Sequence, residues 1–222
     1  MAPSSTARIH PLPPHPPSEL LDAFRAIPTS LVSDCLDRLR GTIGLRPLHA
    51  SGATLAGCAL TVRTRPGDNL FVHKALDLAR PGDVLVVDGG GHVGHALVGD
   101  ILAAYARSRG IAGFVIDGAI RDVDGFRDFP CWARGVAHRG PWKDGPGEIG
   151  APVSIDGMLV SPGDLVVADA DGVVALSRDE SSGVLVRARA KAAEEREQRQ
   201  AIAEGRWDRT WVDAALRARG WL

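Results

Sequence analysis

A strand–helix–strand pattern between Asp83 and Ile116 constrains this chain most. Asp83 to Val87 and Ile111 to Ile116 are short, uninterrupted apolar runs. Between them His95 to Arg109 has helical spacing and stops at Gly110, a residue suited to a left-handed C-cap. A continuous apolar run has no polar face to offer water, so each run reads as a strand covered on both sides. Strand, crossover helix and second strand form a βαβ unit, and its two strands run parallel. Sheets of this kind bind ligands beyond the carboxyl ends of their strands. Chemistry is therefore expected in the residues that follow Val87 and Ile116.

Around this unit the chain reads as α/β throughout. Ser18 is expected to cap a first helix and Thr29 a second beginning near Ser30, with Pro28 between them. Ala53 to Val62 leans to strand, and Asn69 to Ala79 to a helix ended by Pro81-Gly82. Further on, Val153 to Ile155, Met158 to Val160, Leu165 to Ala168 and Val173 to Leu176 are short strands. They are punctuated by Asp156-Gly157, Pro162-Gly163-Asp164 and Asp171-Gly172 turns. Hairpins following a βαβ core predict a layered, mixed sheet with helices. Residues 1–17, rich in Pro and carrying His10 and His15, read as a flexible, solvated arm. Residues 18–178 read as one α/β domain. Residues 179–222 combine a charged helix (Asp179 to Glu204) with a tail bearing Trp207, Trp211 and Trp221. That tail is expected to pack on the domain or on a neighbouring subunit.

Composition excludes several function classes. A net charge of -1 and 5% aromatic residues argue against a nucleic-acid partner. No apolar run reaches the ~18 residues of a membrane span, and no signal-peptide pattern opens the chain. Cys35, Cys58 and Cys131 form no CxxC pair, so free thiols in a reducing cytoplasm are expected rather than a structural zinc site.

Gly89-Gly90-Gly91-His92-Val93-Gly94 is a literal GxGxxG between a strand and a helix, and Asp117 ends the next strand, where a ribose-binding acid would sit. A nucleotide-cofactor enzyme is one reading. Against it, more than 80 residues precede the motif, Asp88 puts a negative charge beside the would-be pyrophosphate, and Asp117 runs directly into Gly-Ala-Ile-Arg-Asp. A strand-to-helix turn whose glycines adopt positive φ accounts for the motif without a cofactor.

A second constellation is more specific. Gly99-Asp100-Ile101-Leu102 lies on the helix after the glycines, and Arg121-Asp122 follows the next strand. Amides at a helix N-terminal turn bind anions, and a guanidinium takes a carboxylate in bidentate fashion. Asp122 supplies a hard oxygen ligand, and Asp100 a second carboxylate inside an otherwise apolar helix. Together they suit a small oxo acid held beside Mg²⁺ or Mn²⁺. Separately, each has a bland reading as a surface ion pair or a solvated helix residue. His92 and His95 flank the glycines and read as structural residues with a secondary chance of reaching a ligand. His73 reads as packing or support. Lys143 lies in a Pro/Gly-rich, exposed segment where nothing activates an amine for Schiff-base chemistry.

These motifs resemble the RraA-like family, which includes 4-hydroxy-4-methyl-2-oxoglutarate / 4-carboxy-4-hydroxy-2-oxoadipate aldolases. The resemblance covers roughly residues 29–176. It is carried by Asp68-Asn69 with His73, Arg80-Pro-Gly-Asp-Val-Leu-Val-Val-Asp88, Gly99 to Leu102, Asp117-Gly-Ala-Ile-Arg-Asp122, Pro152-Val153 and Ser161 to Asp169 with Asp171-Gly-Val-Val. It implies a swivelling-domain-like ββα core and assembly as a homotrimer or homohexamer. It further implies substrate contacts from Gly99, Asp100, Ile101, Leu102 and Arg121, with Arg121 and Asp100 catalytic and Asp122 organising a divalent metal (Mg²⁺ or Mn²⁺). The implied activity is carbon–carbon lysis of 4-hydroxy-2-oxo acids, with oxaloacetate decarboxylation as a side activity. The family also contains regulatory proteins that bind ribonuclease E, so a regulatory binding protein is the alternative.

Overall fold

The computed structural model describes residues 7–50, 52 and 54–222. In chain order the elements are β1 (Arg8–Ile9), α1 (Ser18–Arg25), α2 (Thr29–Asp34), β2 (Arg46–Pro47), β3 (Leu55–Thr64), α3 (Leu70–Leu78) and β4 (Asp83–Val98). There follow α4 (Asp100–Ser108), β5 (Gly113–Ile120), a 3-10 turn (Val123–Phe126), β6 (Cys131–Val136), β7 (Gly147–Ile149), β8 (Val153–Ile155) and β9 (Met158–Val160). β10 (Leu165–Ala168), β11 (Val173–Leu176), α5 (Arg178–Ala203) and α6 (Thr210–Arg217) complete the chain. Ala53, the first residue of the strand expected over Ala53 to Val62, and residues 1–6 of the arm lie outside the described residues.

The central strands β3, β4, β5 and β6 are mutually parallel. Antiparallel β2 flanks β6, and β7 flanks β3. β3 is shared: Leu55 to Cys58 pair with β10, and Val62 to Thr64 pair with β7. The sheet is therefore mixed and layered. Residue parity decides which layer a side chain enters. Leu85, Val87, Phe114 and Ile116 join the core under α3 and α4. Val84, Val86 and Val115 join Trp132, Ile155 and Val160 on the other face. A third cluster packs Phe24, Val32 and Val184 of the helices against Leu165 and Val167 of β10. The four short strands from Val153 to Leu176 fall where their turns predict them.

Three expectations are corrected. The fourth strand does not stop at Val87 but continues to Val98, and the helix begins only at Asp100. The glycines make an irregular, bulged extension of the strand: after Asp88↔Asp117 the register shifts until Val98 pairs with Ile120. Gly90 (φ 65°) and Gly91 (φ 67°) take the left-handed region, and a Cβ on Gly89 would lie 2.5 Å from Leu97 Cδ1. The helix caps are Pro17 and Pro28 rather than Ser18 and Thr29. The arm, finally, is not free of the domain where it is described. β1 pairs with β7, His10 Nε2 meets Glu148 Oε1 at 2.7 Å, and His15 Nε2 meets Asp83 Oδ1 at 2.6 Å.

The C-terminal tail leaves its aromatic residues uncovered: α6 contains no buried residue, and Trp211 is 62% exposed. No helix among the described residues is long and apolar enough to cross a membrane.

Candidate functional site

Because Val98 pairs with Ile120, the carboxyl ends of β4 and β5 finish side by side. The Arg121 amide donates to the Val98 carbonyl at 3.0 Å, which fixes the Arg121 backbone against the last residue of β4. Gly99 then crosses to the helix in extended conformation (φ -143°, ψ -171°). A Cβ at Gly99 would lie 2.6 Å from Asp122 Oδ2 and 3.2 Å from Arg121 Cγ, so a side chain there would displace the Asp122 carboxylate and crowd Arg121. Gly125 does the same from the far side, since a Cβ there would collide with Asp100. The five residues expected to contact substrate, and Asp122, thus come together.

They line one cavity of about 250 Å³ with Asn69, His73, Leu97, Val98, Pro141 and Lys143. Asp100 is the first residue of α4, not an interior one. Its charge there is favoured by the helix dipole, so the argument from a charge within an apolar helix falls away. What replaces it is position. The opening amides of a helix lack intrahelical partners, and Asp100 Oδ1 accepts from the Ile101 amide at 2.7 Å. The Ile101 side chain is exposed and that of Leu102 is buried, so with the Ile101 amide already given to Asp100 it is the Leu102 backbone that this pair turns to a polar ligand. Asp122 is held in left-handed conformation (φ 55°), which turns its carboxylate back to within 3.3 Å of Arg121 Nε. Both side chains remain partly open to solvent. Two carboxylates, a guanidinium and helix amides facing one cavity can bind an oxo acid and a hard cation together.

Lys143, set aside in the sequence as part of an exposed segment, is indeed exposed, yet it lines this cavity. Its Nζ lies 3.5 Å from Asn69 Oδ1, and Asn69 Nδ2 donates to the Leu97 carbonyl at 2.9 Å. The segment bearing Lys143 is clamped by the buried Asp68, whose Oδ2 accepts the amides of Asp144 (2.7 Å) and Gly145 (3.0 Å). Burial works against this carboxylate. Those amides, that of Leu70 and nearby Arg65 outweigh it and hold the Asp68 pKa below the usual carboxylate range. Burial, and then the charge of Lys143, pushes the His73 pKa down, leaving a neutral imidazole in the lining. Nothing local to Lys143 marks it; the signal is Asp68-Asn69, far away in sequence.

The nucleotide reading is overturned. The GxGxxG segment is strand, not the opening of a helix. Asp117 is buried and engaged: it pairs with Arg134 Nε, and its Oδ2 accepts the Asp156 amide at 3.0 Å. Arg134 also reaches Asp156 Oδ1 at 2.8 Å. Both carboxylate oxygens of Asp117 are thus engaged within the chain. His92 and His95 lie outside the cavity lining. Their rings stack at 5.4 Å, and His95 lies 4.2 Å from the Trp142 ring, which ties the bulged arm to the segment before Lys143.

Residues 29–175 match the RraA-like family, described as Aldolase/RraA. A Halalkalibacterium halodurans protein, provisionally named as 4-hydroxy-4-methyl-2-oxoglutarate aldolase, is 40% identical over 84% of this chain and 90% of its own. A Thermus thermophilus protein named 4-hydroxy-4-methyl-2-oxoglutarate aldolase is 39% identical over 56% of this chain and 76% of its own. The solved structure of the RNA-processing inhibitor RraA from Thermus thermophilus superposes with a TM-score of 0.61 at 34% identity, covering 67% of this chain and 92% of that one.

Proposed function

The chain belongs to the RraA-like family, and from that premise we propose that it is a divalent-metal-dependent pyruvate aldolase. Its substrates are 4-hydroxy-2-oxo acids such as 4-hydroxy-4-methyl-2-oxoglutarate or 4-carboxy-4-hydroxy-2-oxoadipate. The observation that carries this reading is the cavity in which Gly99 to Leu102, Arg121 and Asp122 meet. A cation of the Mg²⁺ or Mn²⁺ type would supply Lewis-acid polarisation of the 2-keto group. The donor set fits it: the Asp122 carboxylate is a hard ligand in a partly open site with no sulfur in the lining.

The residues of the chain do the remainder. Arg121 binds the C1 carboxylate with its planar fork and stabilises the enolate oxygen that develops at C2. The amides opening α4 face the same anionic end. Lys143 supplies a second positive charge for the distal carboxylate. Asp100 takes the C4 hydroxyl proton. The C3–C4 bond then breaks, C4 becomes a ketone carbon, and the electron pair passes to the pyruvate enolate. Loss of CO₂ from oxaloacetate generates the same enolate, so the same groups serve it. Assembly as a homotrimer or homohexamer in the cytoplasm completes the reading. The likeness to an RNA-processing inhibitor supports a second reading, regulatory binding, which gives no role to the Arg121 cavity.

The test is pyruvate release from 4-hydroxy-4-methyl-2-oxoglutarate and from oxaloacetate, with Mg²⁺ or Mn²⁺ and with excess chelator. Metal-dependent release above the metal-only background, inhibited by oxalate, is expected. No release from either substrate sinks the aldolase and favours the regulator; full release in chelator sinks the metal.

A further inference from the structure

Far from this cavity, at the opposite end of β4, three potential ligands converge. Asp83 opens β4 and is the register partner of Cys58 on β3. Both are buried, with the Asp83 residue 1% exposed. His15 arrives from the arm, and the ligand atoms of all three lie within 4.8 Å of one another. We propose that His15, Cys58 and Asp83 form a binding site for a thiophilic divalent cation of the Zn²⁺ or Co²⁺ type, and that the bound ion fastens the N-terminal arm to the sheet.

Three observations support the site. The first is ligand chemistry: sulfur, imidazole nitrogen and one carboxylate oxygen suit zinc, with a fourth position left for water. The second is orientation. Asp83 Oδ2 is occupied by the Arg80 amide at 2.7 Å, whereas Oδ1 meets His15 Nε2 at 2.6 Å. A cation inserted there would replace the proton that His15 and Asp83 share. The third is that His15 is delivered rather than incidental. The carbonyls of Pro13 and Pro14, just before it, accept from Arg80 Nη2 (2.9 Å) and from Arg178 Nη2.

The protonated thiol has no other evident use. Burial, and then the charge of Asp83, pushes the Cys58 thiol up to about 12, so it is neither a nucleophile nor a redox centre at neutral pH. Sulfur and imidazole nitrogen favour a borderline-soft cation over one that takes only hard oxygen ligands. The site should therefore discriminate against Mg²⁺, the reverse of the Asp122 cavity.

Cobalt is the probe. The full-length protein is stripped with chelator, loaded with Co²⁺ and passed through a desalting column. Near-ultraviolet thiolate-to-cobalt charge transfer and the amount of retained metal are then measured. Expected are a charge-transfer band, loss of that band on adding Zn²⁺, and indifference to excess Mg²⁺. Cys58→Ala should abolish the band, and Asp122→Asn should leave it unchanged. His15→Gln should weaken Co²⁺ binding by at least the roughly 10- to 100-fold that removal of an outer-shell partner costs. His15 lies outside the core, so this variant keeps the test sound if the Cys58 variant folds poorly. The absence of a band, its survival in Cys58→Ala, or unaltered affinity in His15→Gln would each overturn the site.

Discussion

The two ends of β4 make opposite use of the same strand. At its carboxyl end, Asp100 and Asp122 stand partly open to solvent around a guanidinium and helix amides. At its amino end, Asp83 is buried beside a thiol and an imidazole, under an arm tied down by arginines. The backbone geometry explains part of the contrast. In a parallel sheet only the carboxyl ends open into loops followed by helix N-termini, where anions are welcome. The amino ends receive incoming turns, and a carboxylate there is covered. Openness and hard oxygen suit a cation that turns over with its substrate. Burial and sulfur suit one that stays.

The largest expected effect separates the two ends completely. Asp122→Asn should reduce aldol cleavage and oxaloacetate decarboxylation to background. Asparagine is chosen because it tolerates the left-handed φ that alanine would strain. Wild-type metal-dependent turnover in this variant would remove Asp122 from the site. Next in size is Arg121→Lys, which keeps the charge and loses the fork. A fall in kcat/KM of roughly 30- to 1000-fold, or about 2–4 kcal/mol, is expected, mostly in kcat. A near-native value would make Arg121 structural. Lys143→Met should raise KM for the aldol substrate about tenfold (~1.4 kcal/mol) with little change in kcat. A kcat effect larger than the KM effect would place Lys143 in the chemistry instead.

The smallest effects concern stability, and here the two edges should differ in sign. Asp68, which clamps the cavity wall, has a depressed pKa. Its contribution is present above the unfolded carboxylate pKa of ~3.9 and is lost as pH falls through the folded value. Asp164 lies near the other edge, where its charge reaches Cys58, and burial raises its pKa. Its contribution is present below the unfolded value and is lost as pH rises through the folded one. At pH 7 Asp68→Asn should therefore lower the unfolding free energy by about 1–3 kcal/mol, read as a lower urea midpoint, while Asp164→Asn should leave the midpoint equal or higher. Equal losses in both would show that charge state is not what distinguishes the edges.

Much of this organisation was legible in the sequence, for local reasons. Asp156-Gly157 and Asp171-Gly172 punctuate the late strands through their own turn chemistry, and the parallel pairing of β4 with β5 follows from the crossover between them. Arg121 and Asp122 were readable because they directly follow a strand. The glycine segment was misread because its glycines permit either a turn or a bulge. Tertiary contact decides between them: the close approach of Leu97 to Gly89. That Lys143 lines the cavity is not legible locally, because an exposed residue in a Pro/Gly-rich segment carries no mark of the wall it forms. The arm reads as solvent-borne because proline-rich composition does not reveal that guanidinium groups farther along the chain donate to its carbonyls.

The sharing of β3 between β10 and β7 also bears on how the chain is made. Leu55 to Cys58 find their outer partner only when residues 165–168 exist, and Val62 to Thr64 only when residues 147–149 do. During synthesis, at about 5–20 residues per second, the nascent β3 therefore emerges well before that edge can be closed. Its outer hydrogen-bonding edge stays bare throughout that interval, offering a template to any other extended segment nearby. A ribosome stalled before residue 147 would hold an apolar strand with neither outer partner, and chaperone engagement is expected to be heaviest there.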